Sequence, residues 1–364
     1  MRGSILTSHV RKSSTDRTPR EREPKENGLF LAVVLTYLAV LAILSGLEAA
    51  GITVRLPLVL SLISGELTLA IPMVLYILIR RPNLRGLSVQ WRLPIAVIPL
   101  LILMAYCAMP LISVINLISM LLSGENAAAS MLGTLQQLPL WGSLLCVAVL
   151  PGVVEEVIFR GLLYSEYRRR RTWGAILASG ILFGLMHMNL NQFCYAFVIG
   201  VLFCLVYEAT GSLLAPMLMH MVYNGNSVIL TYLMNKGILS DGSANAAADS
   251  SAQMLQQMLG NDAMGWEFLI TAVMLLILGL IGMAAAGGLY VAVVKLCHRE
   301  QQVLLLFQRD SWRKRIALGS RETIIEENME TGTGQSRSRK ICGPVFWIGT
   351  SLSALVIILG VIVA

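Results

Sequence analysis

The sequence predicts an all-α protein, a polytopic membrane helical bundle of about eight or nine transmembrane helices. Three observations predict it. Only 13% of the 364 residues are charged and 56% are apolar, with a mean hydropathy of +0.71, whereas a soluble domain carries about 25% charged residues. The apolar residues fall in long runs, most of them near the roughly 20 residues that a bilayer-spanning helix needs. The basic residues, finally, lie on one side of the runs, except Arg55 and Lys236 outside and Arg160 within a run.

Residues 1–27 are polar, rich in Arg, Glu, Ser and Pro and without an apolar core, which is the composition of a disordered cytoplasmic tail and not of a signal peptide. An N-terminal membrane region, 28–138, holds apolar runs at 29–50, 57–79 and 94–122. The region 139–230 holds four more, at 140–165, 173–188, 190–208 and 212–234. The second and third of these are short, with Asn189 and Asn191 between them, and are expected to form a tight helical hairpin. A polar outer loop, 231–264, carries Asp241, Asp249 and Asp262. Another membrane helix is expected in 265–297, with its run at 266–296, followed by a basic cytoplasmic loop, 298–341. A C-terminal helix over 342–364 (run 343–364) closes the chain.

Charge orients this set. Of 28 Lys and Arg residues, seven precede the first run, four follow the second (Arg80, Arg81, Arg85, Arg92), four follow the fourth (Arg168 to Arg171) and ten lie from Lys295 to Lys340. With a cytoplasmic N-terminus all of these face the cytoplasm, as the positive-inside rule requires. The net charge of +7 therefore reports orientation in a cell membrane, with some attraction to anionic headgroups, and no nucleic-acid partner is expected. The six Cys residues lie in or beside the runs without a CxxC pair and read as small apolar residues.

Ionisable residues within a membrane span cost about 2.5–3.5 kcal/mol each on insertion scales, so they mark function by default. Here they gather in three neighbouring segments: Glu155-Glu156-x-x-x-Arg160, Phe183-x-x-x-His187 and His220-x-x-x-Asn224. Glu156 and Arg160 share a helix face and can neutralise each other, while Glu155 is turned away by about 100°. At about 1.5 Å per residue, Glu155 lies roughly 20 Å from the Arg168 cluster, His187 roughly 22 Å from Thr172, and His220 and Asn224 roughly 12 and 18 Å from Ser212. Antiparallel helices thus bring the four to similar heights. A carboxylate in an apolar pocket can act as general base. A neutral imidazole can orient water or bind a metal ion, and an amide or a second imidazole can donate to an oxyanion. Phe183 reads as packing, and Glu66, a lone carboxylate in the second run, either lines the same cavity or pairs with a neighbour.

The three motifs, in this order between about Pro139 and Leu230, resemble those of the CAAX protease and bacteriocin-processing family of intramembrane metalloproteases, the group of the type II CAAX prenyl endopeptidases once called the abortive-infection family. The resemblance implies an all-helical bundle with a polar cavity and an endopeptidase that cuts a peptide or protein substrate reached from the bilayer, in CAAX-type processing, peptide maturation or self-immunity. It implies Glu155 as the base that activates water, His187 as its assistant, His220 and Asn224 as oxyanion donors, and Glu156 and Arg160 as support. The family leaves open a divalent metal such as zinc, for which His187 and His220 would be the ligands. Two other readings of the polar cluster compete. In the first it is a stability or binding feature of a non-enzymatic immunity or scaffolding protein that holds a bacteriocin-like peptide. In the second it is the proton-coupled site of a small transporter, a reading weakened by the lack of repeat symmetry and of a Gly/Pro-broken helix pair. No HExxH, GxGD or GxSG-with-His pattern points to another intramembrane protease class.

Overall fold

The computed structural model describes residues 24–80, 92–123, 137–168, 172–236, 238, 262–307 and 341–363. Each of the nine apolar runs folds as a helix: α1 Asn27–Ala49, α2 Leu58–Arg80, α3 Val97–Ser123, α4 Leu140–Tyr167, α5 Thr172–Leu185, α6 Leu190–Thr210, α7 Leu214–Asn235, α8 Asp262–Leu296 and, after the short α9 (Glu300–Leu304), α10 Pro344–Val363. Among the described residues, seven of these are long and apolar enough to cross a membrane. Helix α5 is short for a span, and α7 is diluted by His220, Asn224 and Asn226. Most of the expected tail 1–27 and of the loops 231–264 and 298–341 lies outside the described residues; where the ends are described, α8 starts inside the expected outer loop and α9 inside the expected basic one.

Lipid-facing surfaces follow from the sequence runs. Leu78, Ile281 and Leu359 stand exposed on α2, α8 and α10, forming apolar faces that a water-soluble protein does not show on this scale. Without water between helices, packing must come from close approach of small residues. Helices α5 and α6 form the expected hairpin this way: a Cβ on Gly200 would sit 3.0 Å from the Cα of Gly180, and one on Gly184 would sit 2.9 Å from the Phe193 carbonyl oxygen. Helix α8 presses on α3 so closely that a Cβ on Gly282 would collide with the carbonyl oxygen of Cys107.

Polar clamps fix the helix ends. The buried Glu208 at the end of α6 receives Arg168 Nε at 3.0 Å and Nη2 at 3.1 Å, together with the Tyr164 hydroxyl at 2.7 Å. Arg299 Nε donates to the Glu208 carbonyl at 3.1 Å. Arg168, read from sequence as a topology signal, thus also docks α4 on α6. Asn27 at the start of α1 donates to the Ile341 carbonyl at 3.0 Å and accepts from the Tyr167 hydroxyl at 2.6 Å, which ties α1, α4 and the entry to α10 together. Deeper in, Asn191 donates to Asn116 Oδ1 at 2.9 Å and to Ser119 Oγ at 3.0 Å, seating the hairpin on α3.

The α3–α8 contact yields a prediction. Gly282→Ala should lower the thermal midpoint of the detergent-solubilised protein, at a cost of about 1–3 kcal/mol for overpacking. Gly287→Ala, where an added Cβ meets nothing within 4 Å, should leave it unchanged; thermal unfolding of the two variants side by side checks this.

Candidate active site

Helix α4 is irregular where it carries the charged motif. Wide π-helical turns span Leu145–Val149 and Val157–Tyr164, with an α-helical segment, Leu150–Glu156, between them. Such turns shift the side chains that follow them relative to an ideal helix and recur at functional sites. Pro151 contributes to the irregularity. It has no N–H to give to the carbonyl four residues earlier, Val147, and the side-chain amide of Asn224 on α7 donates to that carbonyl at 3.0 Å.

Glu155, Glu156 and Arg160 are all buried. Glu156 Oε1 accepts from Arg160 Nη1 at 2.9 Å and lies 2.9 Å from His220 Nδ1, so one carboxylate joins its own helix to α7. Arg160 Nη2 donates to the Gly200 carbonyl on α6 at 3.0 Å, and its guanidinium carbon lies 4.3 Å from the Phe183 ring centre and 5.1 Å from that of Phe203. Two aromatic faces, a carboxylate and a carbonyl thus surround one buried cation, the environment that a desolvated guanidinium needs.

The Nδ1 contact of His220 leaves Nε2 to face the other carboxylate: Glu155 Oε2 lies 3.8 Å from it. His187 is half-buried in the turn after α5, where its Nδ1 contacts the Phe183 carbonyl at 2.9 Å. If each Nδ1 carries the proton it would donate, each neutral ring keeps a lone pair on Nε2. The turn itself is tight, since Met188 takes φ 52° and Asn189 caps α6 by accepting from the Gln192 N–H at 2.9 Å. A left-handed conformation at a non-glycine residue persists only when its surroundings enforce it. Phe183 is the ring about which the site is assembled: its centre is 5.5 Å from His187, 5.9 Å from His220 and 5.2 Å from Phe159.

The structure therefore gathers Glu155, Glu156, Arg160 and His220 in direct contact and sets His187 against the same phenylalanine. Asn224 stands one turn beyond His220, with an N–H engaged on the backbone of α4. Sequence reasoning missed two contributors, Phe203 as the second face on Arg160 and the Gly200 carbonyl, neither of which carries a signal in an apolar run. Glu66 of α2, read from sequence as lining the same cavity or pairing with a neighbour, lies close enough to Glu155 for the two carboxyl groups to interact.

His187 and His220, the metal ligands that the resemblance implies, each engage Nδ1 and leave Nε2 as the nitrogen that could meet an ion; among the described residues no group of three or more His, Cys, Asp or Glu side chains is placed to hold one.

Residues 137–225 match the family model described as type II CAAX prenyl endopeptidase Rce1-like. The match covers about a quarter of the chain, α4 to the middle of α7, and contains all three motifs. The resemblance read from the motifs thus holds over this segment and supports a CAAX-type protease in a multi-pass membrane protein. No curated protein and no solved structure matches the chain.

The Asn224 contact is testable through a mutant cycle. Asn224→Ala should destabilise the protein by about 1 kcal/mol, the net worth of a hydrogen bond to this half-buried carbonyl. Pro151→Ala, which restores an N–H within α4, should recover part of that loss in the double variant. Thermal unfolding of the two single variants and the double variant measures the coupling.

Proposed function

We propose that this chain is an intramembrane endopeptidase that hydrolyses a peptide bond with a water activated by Glu155. The observation that carries the reading is the approach of Glu155 Oε2 to His220 Nε2, 3.8 Å apart and buried between α4 and α7. In this reading a water between them gives its proton to Glu155 and its oxygen attacks the substrate carbonyl carbon, whose π electrons move onto oxygen. His187, with Nε2 unprotonated, accepts a hydrogen bond from the same water and orients it. Asn224 gives its remaining N–H to the oxyanion, and His220, held by Glu156 at Nδ1, becomes a second donor there once its Nε2 has taken up a proton from solvent. Collapse of the tetrahedral intermediate breaks the C–N bond as Glu155 returns its proton to the leaving amine. Glu156 and Arg160 touch no reacting atom in this scheme; they hold His220 in place.

The substrate is a peptide or protein segment that enters from the bilayer or its surface, in CAAX-type processing or in peptide maturation and self-immunity. The charge distribution supports a cell-membrane location with a cytoplasmic N-terminus.

A non-enzymatic scaffold that holds a bacteriocin-like peptide is the second reading. It draws on the hydrogen bonds of Glu156, Arg160 and Asn224, which also fasten α4 to α6 and α7. One experiment separates the two. The purified protein in detergent is assayed against a peptide library beside Glu155→Gln and His187→Ala. The endopeptidase reading expects Glu155→Gln to lose about 10²–10⁴ in kcat, the range of general-base catalysis, and His187→Ala to lose about 10² or more. Equal cleavage by all three proteins removes it.

A further inference from the structure

The turn that carries His187 is fastened to α3, a helix outside the segment that matches the family model. Asn191 stands four residues after His187, on the first turn of α6, and is buried. Its side-chain amide donates to Asn116 Oδ1 at 2.9 Å and to Ser119 Oγ at 3.0 Å, and the same nitrogen lies 3.2 Å from the Asn116 carbonyl. The buried Ser119 hydroxyl lies 3.1 Å from the Asn191 carbonyl and 3.0 Å from that of Asn116, either of which can take its proton. Helix α3 also packs along α7, so this network sets the turn against the helix that carries His220 and Asn224.

His187 directs its own contacts back onto α5. Its backbone N–H donates to the Gly184 carbonyl at 3.2 Å, and its Nδ1 lies 2.9 Å from the Phe183 carbonyl. The body of α5 is seated on α4, where Ser179 donates to the Phe159 carbonyl at 3.3 Å and Phe183 covers Arg160. His187, however, stands beyond Leu185, the last residue of α5, and depends on the turn for its height. The turn has little slack: Met188 holds φ 52°, and Asn189 caps α6 on the Gln192 N–H at 2.9 Å. A shift of Asn191 therefore passes through three residues to the imidazole. Glycines already bring α5 against α6 without polar groups, and lipid supplies no hydrophobic drive between helices. What the Asn191 amide adds is a directional link that fixes the turn on α3.

We propose that Asn191 is a positioning residue for the hydrolysis: through its bonds to Asn116 and Ser119 it holds the turn so that His187 meets the attacking water. This rests on the endopeptidase reading. Asn191 touches no reacting atom in that scheme, so its whole effect runs through His187 and falls on the chemical step, not on substrate binding.

The test uses the full chain in detergent with Asn191→Ala, which removes the amide, and Ser119→Ala, which removes its partner on α3 and leaves the Asn116 bond. Asn191→Ala should lower kcat by about 10- to 10²-fold at unchanged KM, since a displacement of about 1 Å costs up to about 10², and Ser119→Ala should lower it less. Made in the His187→Ala background, each substitution should change kcat by no more than about twofold, whereas independent effects would add in full. Nitrogen-15 NMR of the histidines supplies a readout independent of activity: the His187 signals should move in both variants while those of His220 stay. Wild-type kcat in both variants, a full further loss in the His187→Ala background, or an unmoved His187 signal overturns the assignment. Should Asn191→Ala fail to fold, Ser119→Ala carries the same comparisons alone. Cleavage that persists in Glu155→Gln, or is missing in the wild type, overturns the endopeptidase reading instead, and the His187 signals still decide whether Asn191 positions the ring.

Discussion

The site depends on one buried carboxylate. Glu156 binds Arg160 within α4 and His220 across to α7. Neither charged group could stay at this depth alone, because an unpaired buried ion costs several kcal/mol. Glu156 is therefore an obligation created by Arg160, and His220 shares the same oxygen. Once these are paired, the remaining geometry has little freedom. Arg160 reaches the Gly200 carbonyl and locates α6. His220 can turn only its Nε2 edge outward, toward Glu155.

Aromatic and small residues make that arrangement rigid. Phe183 and Phe203 cover the guanidinium, and Phe183 also spaces the two imidazoles. Phe183 can occupy that position because glycines let α5 and α6 nearly touch: a Cβ on Gly200 would lie 3.2 Å from the Phe183 ring. At the far end, the clamp of Glu208 by Arg168 and Arg299 stops α4 from sliding along α6. A helix pair held at both ends and wedged by one ring keeps the side chains of the site within a narrow range, as the proposed hydrolysis by a positioned water demands.

Much of this was legible in the chain. The nine apolar runs could be read because lipid forces each to be both long and apolar, and the structural bounds differ from them by a few residues. Glu155, His187 and His220 could be grouped because helix rise converts sequence distance into depth. What could not be read arises where depth is not enough. Glu66 is brought near Glu155 only through the lateral packing of α2 on α4, about which spacing along one helix says nothing. The π-helical turns around Glu155 and Glu156 leave no mark in an apolar run. Asn224 carried a chemical signal, yet its contact with Val147 needed the proline on a different helix to be noticed. Phe203 looks like any other lipid-compatible residue until Arg160 is found beneath it.

Nitrogen-15 NMR of the histidine side chains tests the central geometry most directly, since the chain has only four histidines. The account predicts that His220 carries a proton on Nδ1 that is strongly deshielded by Glu156, and that this resonance moves upfield in Glu156→Gln. A His220 spectrum with the proton on Nε2 alone, or one indifferent to the Glu156 substitution, would contradict it.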